Sequence, residues 1–185
     1  MVEARRQVEV NLFGLARLCQ LAAPMMRAQT SGTIVNVSSI GGRFGEPFGG
    51  WYHTTKFAVE GFSDCLRLEL KPFGVRVIVI EPGAIKTEWG GIAMKSLLAA
   101  SGDTAYAPYA RRHAGMFAQV EVADRFASPP DVVARGIMRA VEARNPKARY
   151  AIGGGAKIFM ALVTLLPTRW LDRLTWRLSQ SAAPI

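Results

Sequence analysis

The run Val75-Arg76-Val77-Ile78-Val79-Ile80 constrains the fold more than any other feature. It is almost continuously β-branched and apolar, as expected of a strand covered on both faces. Such strands belong to parallel sheets whose crossover helices pack above and below. Glu81-Pro82-Gly83 ends the strand. Upstream, Thr33-Ile34-Val35-Asn36-Val37-Ser38 reads as a shorter buried strand, and Arg149-Tyr150-Ala151-Ile152 as a last one. Helical patterns alternate with them. In residues 3–28, Val8, Leu12, Leu15, Leu18, Leu21 and Met25 recur at spacings of three and four, with Pro24 expected to kink the last turns. Residues 51–71 carry Val59, Phe62, Leu66 and Leu70 on one stripe and are stopped by Pro72 and Gly74. Residues 131–143, 157–166 and 167–178 read as further helices. This alternation predicts an α/β layered domain with a parallel sheet. About three strands are legible, which leaves the outer edge of the 33–38 strand open.

Composition excludes several classes. Half of the 185 residues are hydrophobic and a fifth are charged, the makeup of one compact domain. Cys19 and Cys65 have no pairing framework, which predicts a reducing, cytoplasmic setting. The N-terminal residues contain no secretory apolar stretch, and the longest apolar run, 158–166, is about half what a bilayer crossing needs. The net charge of +9 is scattered, without a zinc-finger spacing, an aromatic RNA-binding motif or a basic tail. No nucleic-acid partner is therefore expected. His53 and His113 have no second ligand at zinc spacing and are read as ordinary polar residues, so no catalytic metal is expected.

The strongest chemical signal is Tyr52-His53-Thr54-Thr55-Lys56, which puts a phenol and an ammonium on one face of a helix. A nearby cation favours the phenolate and brings an otherwise weak acid closer to use at neutral pH. The same spacing also occurs in simple surface pairs. Its context is more specific: Ser39 lies thirteen residues earlier at the end of a strand, and Pro82-Gly83 closes the next strand. Loops at that edge of a parallel sheet converge on a ligand crevice.

With Val10-Asn11-Leu12-Phe13-Gly14, Ile34 through Ser39, Tyr52 through Lys56 and Glu81-Pro82-Gly83-Ala84-Ile85-Lys86-Thr87 in this order, the chain resembles the classical short-chain dehydrogenase/reductase family from Val10 to about Tyr150. The resemblance implies a Rossmann-like doubly wound parallel sheet. It also implies hydride transfer between NAD or NADP and an alcohol or carbonyl carbon. Tyr52 would be the general acid in reduction and the general base in oxidation. Lys56 would lower the tyrosine pKa and hold the nicotinamide ribose. Ser39 would bond the substrate oxygen, and Asn11 would anchor a water linking Lys56 to solvent. Tyr52, Lys56, Pro82, Gly83, Ile85 and Thr87 would contact the cofactor.

The sequence departs from the family at its start. A glycine-rich pyrophosphate turn should follow a first strand, yet Gly153-Gly154-Gly155 follows the last strand, and no Asn-Asn-Ala-Gly-like segment precedes the first helix. The residue that selects NAD or NADP would lie in the same missing region. The expectation is a single partial Rossmann-like domain over 1–185, N-terminally truncated from a longer enzyme. The alternative is a cofactor-free fragment acting only in protein association.

Residues 39–50, the less periodic 85–128 segment, expected to act as a substrate lid, and C-terminal helices within 156–180 would define the substrate. They are apolar and aromatic, which favours a lipophilic alcohol or ketone, and the run at 45–51 resembles the 17β-hydroxysteroid and retinol dehydrogenase subgroup. The two long helices would build a homodimer or homotetramer. In the last helix, Trp170, Leu171, Leu174 and Leu178 form one stripe and Arg169, Arg173 and Arg177 another. That pattern suits either packing over the pocket or another subunit, or peripheral membrane contact.

Overall fold

The computed structural model describes residues 1–122 and 127–183, without the side chains of 118–122. Three parallel strands, β1 (Gly32–Val37), β2 (Val75–Pro82) and β3 (Arg149–Ile152), form one sheet in the order β1-β2-β3. Val37 lies opposite Ile80, and Pro82 opposite Ile152, so all three strands end at one rim. The outer edge of β1 carries no strand among the described residues, as its sequence predicts.

The β-branched run in β2 is covered on both faces. Val75 and Val77 pack with Cys19, Ile34 and Leu70 and with the flanking Leu15, Met26, Phe62 and Leu66. Ile78 and Ile80 point the other way, against Ala140, Val133 and Ile137. The first cluster belongs to α2 (Leu15–Ala28) and α3 (Gly50–Leu70), the second to α6 (Pro130–Glu142). This is the period-two alternation of a central strand.

The long N-terminal helix is not uniform. α1 (Val2–Val8) passes into a π-helical segment, Glu9–Gly14, before α2 begins, and Asn11 lies inside that segment. Pro24 remains within α2. Below these helices, Asn36 of β1 donates to Ser63 Oγ at 2.9 Å and accepts from Cys19 Sγ at 3.5 Å. This buried polar staple joins the strand to both long helices.

Much of the predicted lid segment is regular: α4 (Trp89–Ser101) and α5 (Ala107–Val122) pack against each other. Small residues give these helices little contrast between faces, so periodicity does not reveal them. The 123–126 part of the predicted lid lies outside the described residues. Two C-terminal helices follow β3, α7 (Ala156–Leu165) and α8 (Thr168–Ser179). The expected apolar stripe of α8 is corrected by its packing. Thr175 and Ser179 are buried and Leu171 and Leu174 half-buried, while Trp170 and Leu178 are exposed. α8 meets α5 through small polar groups, as in the 2.9 Å bond between His113 Nδ1 and Ser179 Oγ, and so turns part of its apolar surface outward.

Candidate active site

The rim at the ends of β1 and β2 carries the predicted chemistry. Ser39 has extended backbone just beyond β1, and its Oγ accepts the Gly41 N–H at 3.0 Å, capping the 3-10 turn Ile40–Gly42. The turn must pass very close to α3: a Cβ on Gly42 would sit 2.7 Å from Ser38 Oγ and 3.0 Å from the Lys56 carbonyl. Only glycine fits that approach without displacing Ser38 or α3. Ser38 Oγ itself donates to the Lys56 carbonyl at 3.4 Å.

Tyr52 and Lys56 face this turn from the first two turns of α3. The Lys56 ammonium donates to the Val37 carbonyl at 3.2 Å and lies 5.8 Å from the Tyr52 ring centroid. Burial pushes the Tyr52 phenol above its ordinary range; a hydrogen bond with Ser39 opposes this and the Glu46 charge adds to it. Burial lowers the Lys56 pKa, opposed by the charge of Glu60. A neutral phenol with a serine partner is thus the stable form at neutral pH. Asn11 Nδ2 donates to Thr55 Oγ1 at 3.2 Å, and Thr55 Oγ1 donates to the Tyr52 carbonyl at 2.8 Å. The π-helical segment therefore bears on the backbone that presents the phenol, as π-bulges at functional sites often do.

On the β2 side, Gly83 N–H donates to the Ile152 carbonyl at 2.8 Å. Ala84 bridges Gly154, and Ile85 bridges Ser128. A Cβ on Gly83 would meet the Gly154 carbonyl at 2.5 Å. Pro82 and Gly83 are therefore held against β3 at the rim and Ile85 against Ser128, with Thr87 exposed beyond them. The half-buried phenol, the lysine with donors to spare and this fixed turn suit the nicotinamide and ribose portion of NAD or NADP. The sequence has no matching turn for the pyrophosphate.

Two features were not legible in the sequence. The first is an aromatic roof. Trp89 at the start of α4 lies 4.9 Å from Tyr52 between ring centroids, Phe117 lies 6.3 Å from Trp89, and His113 packs on Phe117 and Phe48. His53 and His113, read as ordinary polar residues, are both buried here. His53 Nδ1 is 2.7 Å from the Gly41 carbonyl, and its Nε2 is 3.5 Å from Glu46, close enough for an ion pair but not aligned as a hydrogen bond.

The second is an ionic floor. Arg149, the first residue of β3, donates to Glu60 at 3.0 Å and to Asp64 at 2.7 Å on α3, and reaches Glu81 of β2 at 3.7 Å. Arg43, just after the Ser39 turn, approaches Glu81 at 3.9 Å. Glu60 and Glu81 are almost wholly buried. Burial and the Glu60 charge raise the Glu81 pKa, against the two arginines. The floor thus joins β2, β3, α3 and the serine turn beneath Lys56.

Comparison with known proteins agrees with this architecture. The short chain dehydrogenase family model matches residues 2–95, just over half of the chain. A Helicobacter pylori protein named "Probable short-chain type dehydrogenase/reductase VdlC" is 36% identical over 172 residues, 93% of this chain and 62% of its own length. An NADPH-dependent 3-dehydrocapnine reductase of Ornithobacterium rhinotracheale is 35% identical across 95% of this chain and 62% of its own. A 3-ketodihydrosphingosine reductase of Bacteroides thetaiotaomicron is 32% identical across 86% and 58%. Among solved structures, a Streptomyces avermitilis short-chain dehydrogenase superposes with a TM-score of 0.67 at 28% identity, over 97% of this chain and 60% of that one. A Rossmann-type α/β architecture and these matches define the class. The chain belongs to the short-chain dehydrogenase family, and it spans about three-fifths of the length of the curated relatives it matches.

Proposed function

We propose that this chain carries the catalytic part of an NAD(P)-dependent oxidoreductase that interconverts a lipophilic alcohol and its carbonyl compound. The observation that carries the reading is the meeting of Tyr52, Ser39 and Lys56 at the carboxyl rim of the sheet, under the ring of Trp89. When bound, the nicotinamide supplies or accepts the hydride. Ser39 hydrogen-bonds the substrate oxygen, Tyr52 delivers a proton to it in reduction or removes one in oxidation, and Lys56 holds the ribose and supports the phenolate that proton transfer leaves behind. The upward displacement of the phenol pKa keeps Tyr52 protonated at neutral pH, the form that reduction requires. The relatives named as a 3-dehydrocapnine reductase and a 3-ketodihydrosphingosine reductase agree in direction, and the first is named NADPH-dependent. Pro82, Gly83, Ile85 and Thr87 line the nicotinamide side, and Asn11 steadies the turn that carries Tyr52. The aromatic roof supports an apolar substrate.

Association of two copies through α2 and α3 belongs to the same proposal. Phe13 of the π-helical segment and Leu18, Leu21, Met25, Phe57 and Leu68 on these helices are exposed, and a groove of about 460 Å³ between the helices is lined by Phe13, Ala16, Phe62 and Leu66.

The test is titration of the chain with NADPH and NADH, followed by tryptophan fluorescence and by nicotinamide oxidation in the presence of apolar ketones. Saturable quenching and turnover are expected, with turnover lost in Tyr52→Phe. Absence of both, together with dimerisation, would instead favour the protein-association reading, for which the exposed α2 and α3 surface is the specific observation.

A further inference from the structure

We infer that the outward face of α8 is a docking surface for an anionic lipid bilayer. The face is built by the packing described above. With Leu171, Thr175 and Ser179 turned toward the domain, the helical spacing of 100° per residue puts Arg169, Arg173 and Arg177 at the centre of the opposite side. Trp170 and Trp176 flank this arginine stripe, one on each side, and are 60% and 48% exposed. The Arg173 guanidinium lies 5.5 Å from the Trp170 ring centroid, and Trp176 rests against Tyr109 at 5.8 Å. Both rings are therefore braced at the surface by contacts within the chain.

This arrangement fits one partner better than others. Arginines bind phosphate oxygens through several donors, and indole rings favour the boundary between headgroups and acyl chains. α7 and α8 together hold four cations, Lys157, Arg169, Arg173 and Arg177, against the single carboxylate of Asp172. A chain with net charge +9 adds long-range attraction to a negative surface. No helix among the described residues is long and apolar enough to cross a membrane, so the contact is peripheral. The surface is separate from Tyr52 and stands whether or not the chain turns over a substrate.

The test is co-sedimentation of the complete chain with vesicles of phosphatidylcholine alone or with about a third phosphatidylserine. Binding to the anionic vesicles only, released by high salt, is expected. The variant Arg169→Gln/Arg173→Gln/Arg177→Gln should partition roughly a hundredfold more weakly, since each basic residue near such a surface contributes about fivefold. Its far-ultraviolet circular dichroism checks that it remains folded. If it does not, quenching of tryptophan by brominated anionic lipid in the unaltered chain is the deciding reading, because Trp170 and Trp176 must reach the headgroup boundary. Equal binding to neutral vesicles, binding that the triple substitution leaves unchanged, absence of quenching, or loss of self-association in place of vesicle binding would overturn the inference.

Discussion

The floor and the roof of the candidate site are held by different physics. Beneath Lys56, Arg149 joins Glu60, Asp64 and Glu81 from two other elements. These contacts are directional, and two of the carboxylates are buried, so loss of the cation leaves charge without compensation. Above Tyr52, Trp89, Phe117, His113 and Phe48 meet through ring contacts that tolerate tilting and replacement. The floor is therefore expected to govern stability and the placement of the acid, and the roof to govern which substrate is accepted.

The largest effect should come from the group enclosed between them. Tyr52→Phe should lower turnover by roughly 100-fold to 10,000-fold, the range for losing a positioned proton donor, while urea unfolding stays close to that of the parent. A large loss of stability instead would mean that the phenol belongs to the structural floor. Next, Arg149→Met should cost about 3 kcal/mol in urea unfolding, because Glu60 is left buried without its cation and Glu81 keeps only the more distant Arg43. Adding Glu81→Gln should recover part of that loss; an additive further loss would show that the carboxylates are not coupled through Arg149. Trp89→Ala should change stability by less than about 1 kcal/mol, the scale of one exposed ring contact, and raise KM for apolar ketones several-fold with little change in kcat. If kcat falls as strongly as it does in Tyr52→Phe, the division between floor and roof fails.

The smallest effect concerns pH, and the two buried histidines should respond in opposite directions. Burial lowers the pKa of His53, but its contacts with Glu46 and the Gly41 carbonyl outweigh that and raise it above 6.5. Its contribution to stability is therefore full below that value and lost as pH rises through the folded pKa. Burial lowers the pKa of His113 below 6.5, with Glu46 opposing and His53 adding to the shift. Its contribution is present above 6.5 and lost as pH falls through the folded pKa. His53→Gln should consequently cost more stability at pH 5 than at pH 8, and His113→Gln more at pH 8 than at pH 5. Thermal unfolding at the two pH values measures both; parallel shifts would mean that the roof histidines act through packing alone.

Much of the fold and half of the site were legible from local pattern. The strand at 75–80 needed only its side-chain sequence to announce burial on both faces, and Tyr52 with Lys56 needed only helical spacing to share one. Asn11 stood out in the sequence through the motif around it, but its contact with Thr55 did not, because that depends on how the π-helical segment lies across α3. Arg149 could not be found in the same way. Its bonds to Glu60 and Asp64 span 89 and 85 residues, and no periodicity connects a strand's first residue to the middle of a distant helix. Trp89 was one aromatic among several until α4 set it on Tyr52.

What the sequence by itself determined is therefore the layered α/β class, the parallel strands, the rim where Ser39, Tyr52 and Pro82 gather, and the family resemblance, because side-chain period and short motifs act through neighbours along the chain. Only the tertiary structure decided the ionic floor, the aromatic roof and the outward arginine face of α8. These depend on which surfaces of separate elements meet, and burial is settled by the whole packing arrangement rather than by any single helix or strand.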